Sequence, residues 1–247
     1  MKLKAMGSMV VVAILMCSTV LTAFAADKKA GNTTSISAVS YNAVSISGDK
    51  TGIEIVKTSG SEVSFEFLNV DNPSQYTNTA KVKNGVMTIS IVNNGPRPEN
   101  INVASGSYRN TVRVYVPDVS YNTFNISADG VLVKMPDYSA TVNVTGGTQG
   151  GIYLEDTSIS KGTYNINFDT SYVSITADTI KSNITVKQAN GQVSLNFGKK
   201  PTNLYLDTTN CSGMLKLPTG WSNTYSIGNG SPKITISNFG ATYVTVK

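Results

Sequence analysis

The stretch Tyr164-Asn165-Ile166-Asn167-Phe168, followed after a small turn by Tyr172-Val173-Ser174-Ile175, decides the fold. In both runs apolar and polar residues alternate with period two, as a strand with one buried face requires. Similar pairs of runs surround it. Residues 124–127 precede 131–133, 140–144 precede 151–154, 183–186 precede 191–195, and 203–206 precede 213–217. Aligning Ile126, Val142, Ile166, Ile184 and Leu204 gives steps of 16, 24, 18 and 20 residues. A strand–turn–strand unit of about 20 residues cannot bury its apolar face alone, and recurrence at such a period is the signature of a stacked array. The sequence therefore predicts a single-stranded, right-handed β-solenoid with inward Val142, Ile166, Ile184 and Leu204 in register. Regular short strands are also the mark of an antiparallel β-sandwich, and the uneven steps keep that alternative open.

Upstream, Val44-Ser45-Ile46-Ser47-Gly48 and Gly52-Ile53-Glu54-Ile55 form a further unit. The Asn84-Gly85 pair between alternating runs predicts a hairpin, because both turn positions need positive φ. Residues 93–110, with Pro96 and Pro98, read as a long loop that ends where Thr111 begins a strand closed by Pro117-Asp118. Gly130, Gly151, Gly191 and Gly213 stand just before second strands, where corners favour glycine.

Composition agrees with this reading. Of 247 residues, 40% are hydrophobic and only 14% charged, against about 25% charged in an ordinary soluble domain. From residue 27 onward, Asn, Ser and Thr supply 76 of 221 positions. Ser and Asn compete for backbone hydrogen bonds within helices, whereas β-branched and aromatic residues favour strands.

The amino terminus has the features of a secretory signal. Lys2 and Lys4 precede the apolar run 9–16, and Ala23-Phe24-Ala25 offers the small-x-small cleavage pattern. Residues 1–26 are thus expected to be removed, leaving 27–35 as a flexible leader and 36–247 as one domain. The apolar run is short for a membrane span of about 20 residues, so no stable span is expected after cleavage. The bulky Met16 before Cys17 argues against lipidation. The mature chain would carry a net charge of +3, with two signal lysines lost from the +5 of the full sequence. So mild an excess implies no nucleic-acid partner. Cys211 would be the single remaining cysteine, which excludes an intramolecular disulfide and, with no adjacent cation or histidine, reads as an inert thiol.

Four segments resemble, in the same order, those of a bacterial family of secreted β-solenoid domains described as "putative adhesin". They are Val44-Ser45-Ile46-Ser47-Gly48-Asp49, Asn84-Gly85-Val86-Met87-Thr88-Ile89, Val112-Arg113-Val114-Tyr115-Val116-Pro117 and Ser212-Gly213-Met214-Leu215-Lys216-Leu217-Pro218. The resemblance spans nearly all of 36–240 and implies secretion or display at the cell envelope. Its motifs are structural, so it assigns no catalytic or binding residue.

The chemistry the chain lacks is as informative. It has no histidine, which removes imidazole bases and the usual zinc ligands. The carboxylates Glu155, Asp156, Asp169, Asp178 and Asp207 are scattered over separate units, and no Asp-x-Asp-x-Asp loop suggests calcium. Leu217-Pro218-Thr219-Gly220 is one residue short of a sortase signal. No cofactor or metal is expected. The remaining candidates for contact are tyrosines. Tyr153 and Tyr205 alternate with apolar neighbours and should face outward, where they could stack on sugars; packing as ladder partners on the outer face is the ordinary alternative. The expected function is non-enzymatic surface interaction or adhesion with surface glycans or envelope proteins. A carbohydrate-active enzyme on a β-helix and a structural or envelope-stress component are the alternatives.

Overall fold

The computed structural model describes residues 41–68, 70, 72–96 and 110–247, and four two- or three-residue strands at Leu21–Ala23, Thr33–Thr34, Ile101–Asn102 and Ser107–Tyr108. The rest of the expected signal and leader lies outside the described residues. Within 27–35, Thr33–Thr34 pairs with Val63–Leu68, and within 93–110 a short hairpin joins Ile101–Asn102 to Ser107–Tyr108. The polar composition of those two segments does not signal this pairing.

The described residues are all-β, and 18 strands form one large, mostly parallel sheet. Three long strands organise it: Thr141–Glu155, Thr163–Ala177 and Ile184–Phe197. They run parallel along nearly their full length. Each contributes a first half and a second half, with glycine and small polar residues between. On the first half, Val142, Tyr164 and Ile184 stand in one register row and Val144, Ile166 and Val186 in the next. On the second half, Ile152, Val173 and Val193 form one row and Leu154, Ile175 and Leu195 another. All are buried and belong to one hydrophobic core cluster. Stacking like side chains at about 4.8 Å removes apolar surface from water along a continuous seam, at about 25 cal/mol per Å².

Shorter strands extend both halves. Thr123–Ser127 and Ala43–Asp49 continue the first half, and Leu132–Met135, Gly52–Thr58 and Thr111–Pro117 the second, all parallel. Antiparallel pairing appears towards the ends, where Tyr76–Lys83 meets Val86–Asn93, Val63–Leu68 meets Thr111–Pro117, and Thr224–Ile227 meets Leu204–Cys211. The Asn84-Gly85 turn has φ values of 50° and 75°, as its sequence predicts.

The order of strands is not the order of the chain. Ala43–Asp49 lies between Val86–Asn93 and Thr123–Ser127. At the other end, Lys233–Asn238 lies between Ile184–Phe197 and Leu204–Cys211. Two corrections follow. Leu204 is buried, as expected, but does not stack on Ile184; Ile234 takes that place, and Leu206 pairs with Ile234. Ile166 pairs with Val144 and Val186 rather than with Val142 and Ile184. The inward face is right, but the alignment mixes two rows a dipeptide apart, since a two-residue slip keeps the same face.

A polar anchor fixes the corner beyond the second half. Asp137, 1% exposed, accepts hydrogen bonds from the backbone N–H groups of Ser160 and Lys161, both at 2.8 Å, and from the Tyr164 hydroxyl. The Tyr164 oxygen in turn accepts the Tyr138 N–H at 3.1 Å. Burial, then the bond to Asp137 and the carboxylate's charge, push the Tyr164 phenol up. Tyr121 stands between Tyr41 and Tyr138 in the adjoining aromatic cluster, which also holds Phe124.

Candidate functional site

The outer surface of the first half follows from the same alternation that builds the core. Between inward Phe124, Ile126, Val142, Val144, Tyr164 and Ile166 stand outward residues that are all neutral and polar. Asn125, Asn143 and Asn165 form the middle register row. Thr123, Thr141 and Thr163 flank it on one side, and Ser127, Thr145 and Asn167 on the other. Thr123 and Asn143 are half-buried and the other seven exposed. The asparagines form a ladder: Asn143 Nδ2 donates to Asn125 Oδ1 at 2.9 Å, and Asn165 Nδ2 donates to Asn143 Oδ1 at 3.0 Å. Each rung uses one amide N–H and leaves the second to face outward. The rows continue through Thr185 and Thr235 to Asp207, and through Lys187 on one flank and Lys233 on the other. Charge therefore first enters on the strand after the third of the grid, and in the other direction at Lys81 and Lys83, beyond Ala43–Asp49 and Val86–Asn93.

The second half presents a different outer surface. Arg113 bridges Glu54 and Glu66, with Nη2–Oε2 at 2.8 Å and Nη1–Oε2 at 3.1 Å. The Tyr115 hydroxyl donates to Glu66 at 2.7 Å, and this bond, ahead of Arg113, holds the Glu66 carboxyl below its usual range. Lys134 pairs with Glu155 at 2.9 Å. Opposite charges stacked on adjacent strands stabilise the sheet modestly at so exposed a site.

Tyr153 and Tyr205 fall on different halves. Tyr153 points to the outer side of the second half but is only 6% exposed, and its ring lies 5.2 Å from that of Tyr172. The contact is diagonal across adjacent strands, since Tyr153 is in register with Ser174 and Tyr172 with Gly151. Tyr205 is half-buried at the far end of the threonine row of the first half, in register with Lys233, whose ammonium sits 5.4 Å from the ring centroid. The structure thus does not bring the two tyrosines together, and Tyr205 lies on the same half as the neutral face but three strands beyond it, beside Lys233. The asparagine ladder was missed in the sequence. Its signal was the recurrence of asparagine at the middle of each first strand, as Phe-Asn-Ile, Val-Asn-Val and Tyr-Asn-Ile.

Four of the five scattered acids, Glu155, Asp156, Asp178 and Asp207, have local partners. Asp178 pairs with Lys199 at 3.3 Å, and Asp156 accepts the Asp137 and Thr157 N–H groups. Asp207 accepts the Thr209 hydroxyl and N–H, which hold its carboxyl down. Among the described residues no three metal-ligating side chains cluster. Cys211 is half-buried; its thiol donates to the Ile236 carbonyl at 3.4 Å and receives the Thr242 hydroxyl at 3.6 Å. Burial raises its pKa, so alkylation at pH 7 is expected to be slow in the folded protein and fast in denaturant. A thiol-reagent time course checks this, and equal rates would refute an inert Cys211.

The fold and surface define an all-β protein with a long polar face. Two solved structures are similar to it. One, described as a "putative cell adhesion protein" from Clostridium sporogenes ATCC 15579, is 11% identical, covers 89% of this chain and 100% of its own, and has a TM-score of 0.44. The other, a "putative adhesin" from Bacteroides fragilis NCTC 9343, is 11% identical over 89% of this chain and 98% of its own, with a TM-score of 0.39. No family model and no curated protein matches the chain.

Proposed function

We propose that the chain is a secreted or envelope-displayed β-solenoid that binds other surfaces and does no chemistry on them. The solenoid reading is supported by the in-register parallel rows of the three long strands, which place Val144, Ile166 and Val186 one strand spacing apart. The right-handed sense follows the general rule for parallel crossovers. The observation that carries the function is the neutral grid around Asn125, Asn143 and Asn165. Its side chains are held by stiff β-branched rotamers and by the amide ladder, so little freedom is lost when a ligand docks. Many weak contacts at regular spacing act together on an extended partner. Tyr205 stands on the same half three strands beyond the grid, and Tyr153 on the outer side of the other half.

The exported protein is expected to be retained on bacterial or host cells and on some polysaccharides of a glycan array, with no new reducing ends or unsaturated products in a parallel assay. Turnover of any polysaccharide would overturn the reading in favour of a carbohydrate-active enzyme. Absence of retention on every surface would overturn it in favour of a structural role.

A further inference from the structure

On that reading, we infer that the neutral grid takes an uncharged, extended polysaccharide lying across the strands, along the asparagine ladder. Four features favour this class. First, each grid asparagine presents an outward N–H, and each threonine or serine hydroxyl both donates and accepts; sugar hydroxyls have the same dual character. Second, the nine grid residues are uncharged; Lys187 stands on the next strand and Lys233 on the one after it, and on the other side Lys81 and Lys83 stand three strands away. The asparagine row itself continues through Thr185 and Thr235 to Asp207, so an anionic polymer laid along it would desolvate its carboxylates against neutral groups and meet a like charge, a costly arrangement. Third, the contact repeats once per strand, about every 4.8 Å, so a polymer with a short repeat gains one set of bonds per strand crossed. Fourth, the grid lacks the Tyr, Trp, Met and Arg anchors that concentrate energy in protein interfaces, and it lacks the cations a nucleic acid needs.

The test uses the exported protein on insoluble cellulose and chitin, beside polygalacturonate gel as the anionic probe, each at low and high salt. Two variants carry it: Thr141→Glu with Thr163→Glu together, and Thr145→Glu alone as a milder change on the other flank. Thr219→Glu, in an exposed turn, is the control for Thr145→Glu, matching its single added charge. Wild type and control should be retained on at least one uncharged polymer, equally at both salt concentrations. The double variant should keep its circular dichroism and melt somewhat below wild type, because its two carboxylates face each other across adjacent strands, while losing about tenfold in affinity, because a charge must be desolvated to dock; Thr145→Glu should keep its melting temperature and lose affinity in the same direction. Retention on polygalacturonate alone, or retention that falls with salt, would overturn the uncharged ligand while leaving surface binding intact. Cell retention without retention on either uncharged polymer would do the same. Binding to cellulose or chitin unchanged in both grid variants would overturn the face. No retention on cells or on any polymer would overturn the surface-binding reading itself.

Discussion

Ile166→Asp is expected to unfold the protein at neutral pH, whereas Asn167→Asp should melt within a degree or two of wild type. Ile166 is 1% exposed and sits between Val144 and Val186 in the stacked core. A carboxylate there has no cation and no donor, and an uncompensated buried charge costs about 3–5 kcal/mol. Loss of the isoleucine packing adds to this, and the total rivals the ~5–15 kcal/mol that holds a typical domain. Burial would raise the folded-state pKa of the introduced acid above its unfolded value near ~3.9. The penalty therefore grows as pH rises above the unfolded value, and the variant should be less defective at pH 4 than at pH 7. Asn167 is exposed and lies in register with Thr145 and Lys187, so a carboxylate there stays hydrated near a lysine. Circular dichroism and thermal melting of both variants at the two pH values check the result; equal tolerance would refute the assigned facing.

Asp137→Ala is expected to lower stability by about 3 kcal/mol, since hydrogen bonds to a charged group contribute ~1.5–3 kcal/mol each and part of that loss is recovered by water. The carboxylate ties the segment just after Leu132–Met135 to Ser160 and Lys161 and to Tyr164 on Thr163–Ala177. Tyr164→Phe should cost less, because it removes one of those bonds and the acceptor of the Tyr138 N–H while keeping the ring. The two changes share a contact, so the double variant should lose less than the two losses added together. Urea unfolding of the four proteins measures the cycle. Strict additivity would show that the buried anchor is not a unit.

What the sequence disclosed divides along physical lines. Period-two alternation marks which side chains are buried, and Val142, Ile166, Ile184 and Leu204 are all in the core. Alternation is blind to a two-residue slip, which is why Ile166 was paired with the wrong row. It is also blind to which strand stacks on which. Leu204-x-Leu206 and Ile234-x-Ile236 carry the same spacing, so nothing local told them apart as neighbours of Ile184. Prolines and asparagine–glycine pairs fix turns by backbone geometry alone, hence the accurate hairpin at Asn84-Gly85. The candidate face was half legible. Outward facing could be read for Tyr153 and Tyr205, but burial on an outer face depends on the neighbouring strand, and only the register sets Tyr172 beside Tyr153. The amide ladder likewise needs Asn125, Asn143 and Asn165 at 18- and 22-residue separations, which unequal turn lengths disguise.

The displaced strand order has a consequence for how the chain reaches its native state. Lys233–Asn238 and Ala241–Val246 come later in the chain than both strands they separate. A polypeptide delivered from its amino end offers Leu204–Cys211 to the open edge of Ile184–Phe197 first, with the same apolar spacing as the segment that belongs there. Growth by simple addition would thus stop one layer short and in the wrong sequence. The native order demands insertion: the slot stays vacant, or is vacated, until residues some fifty positions downstream arrive, as the pairing of Ile184 with Ile234 requires. Closing so long a loop before any contact rewards it makes for high contact order and slow maturation. That end of the molecule cannot close before the last two strands of the chain arrive.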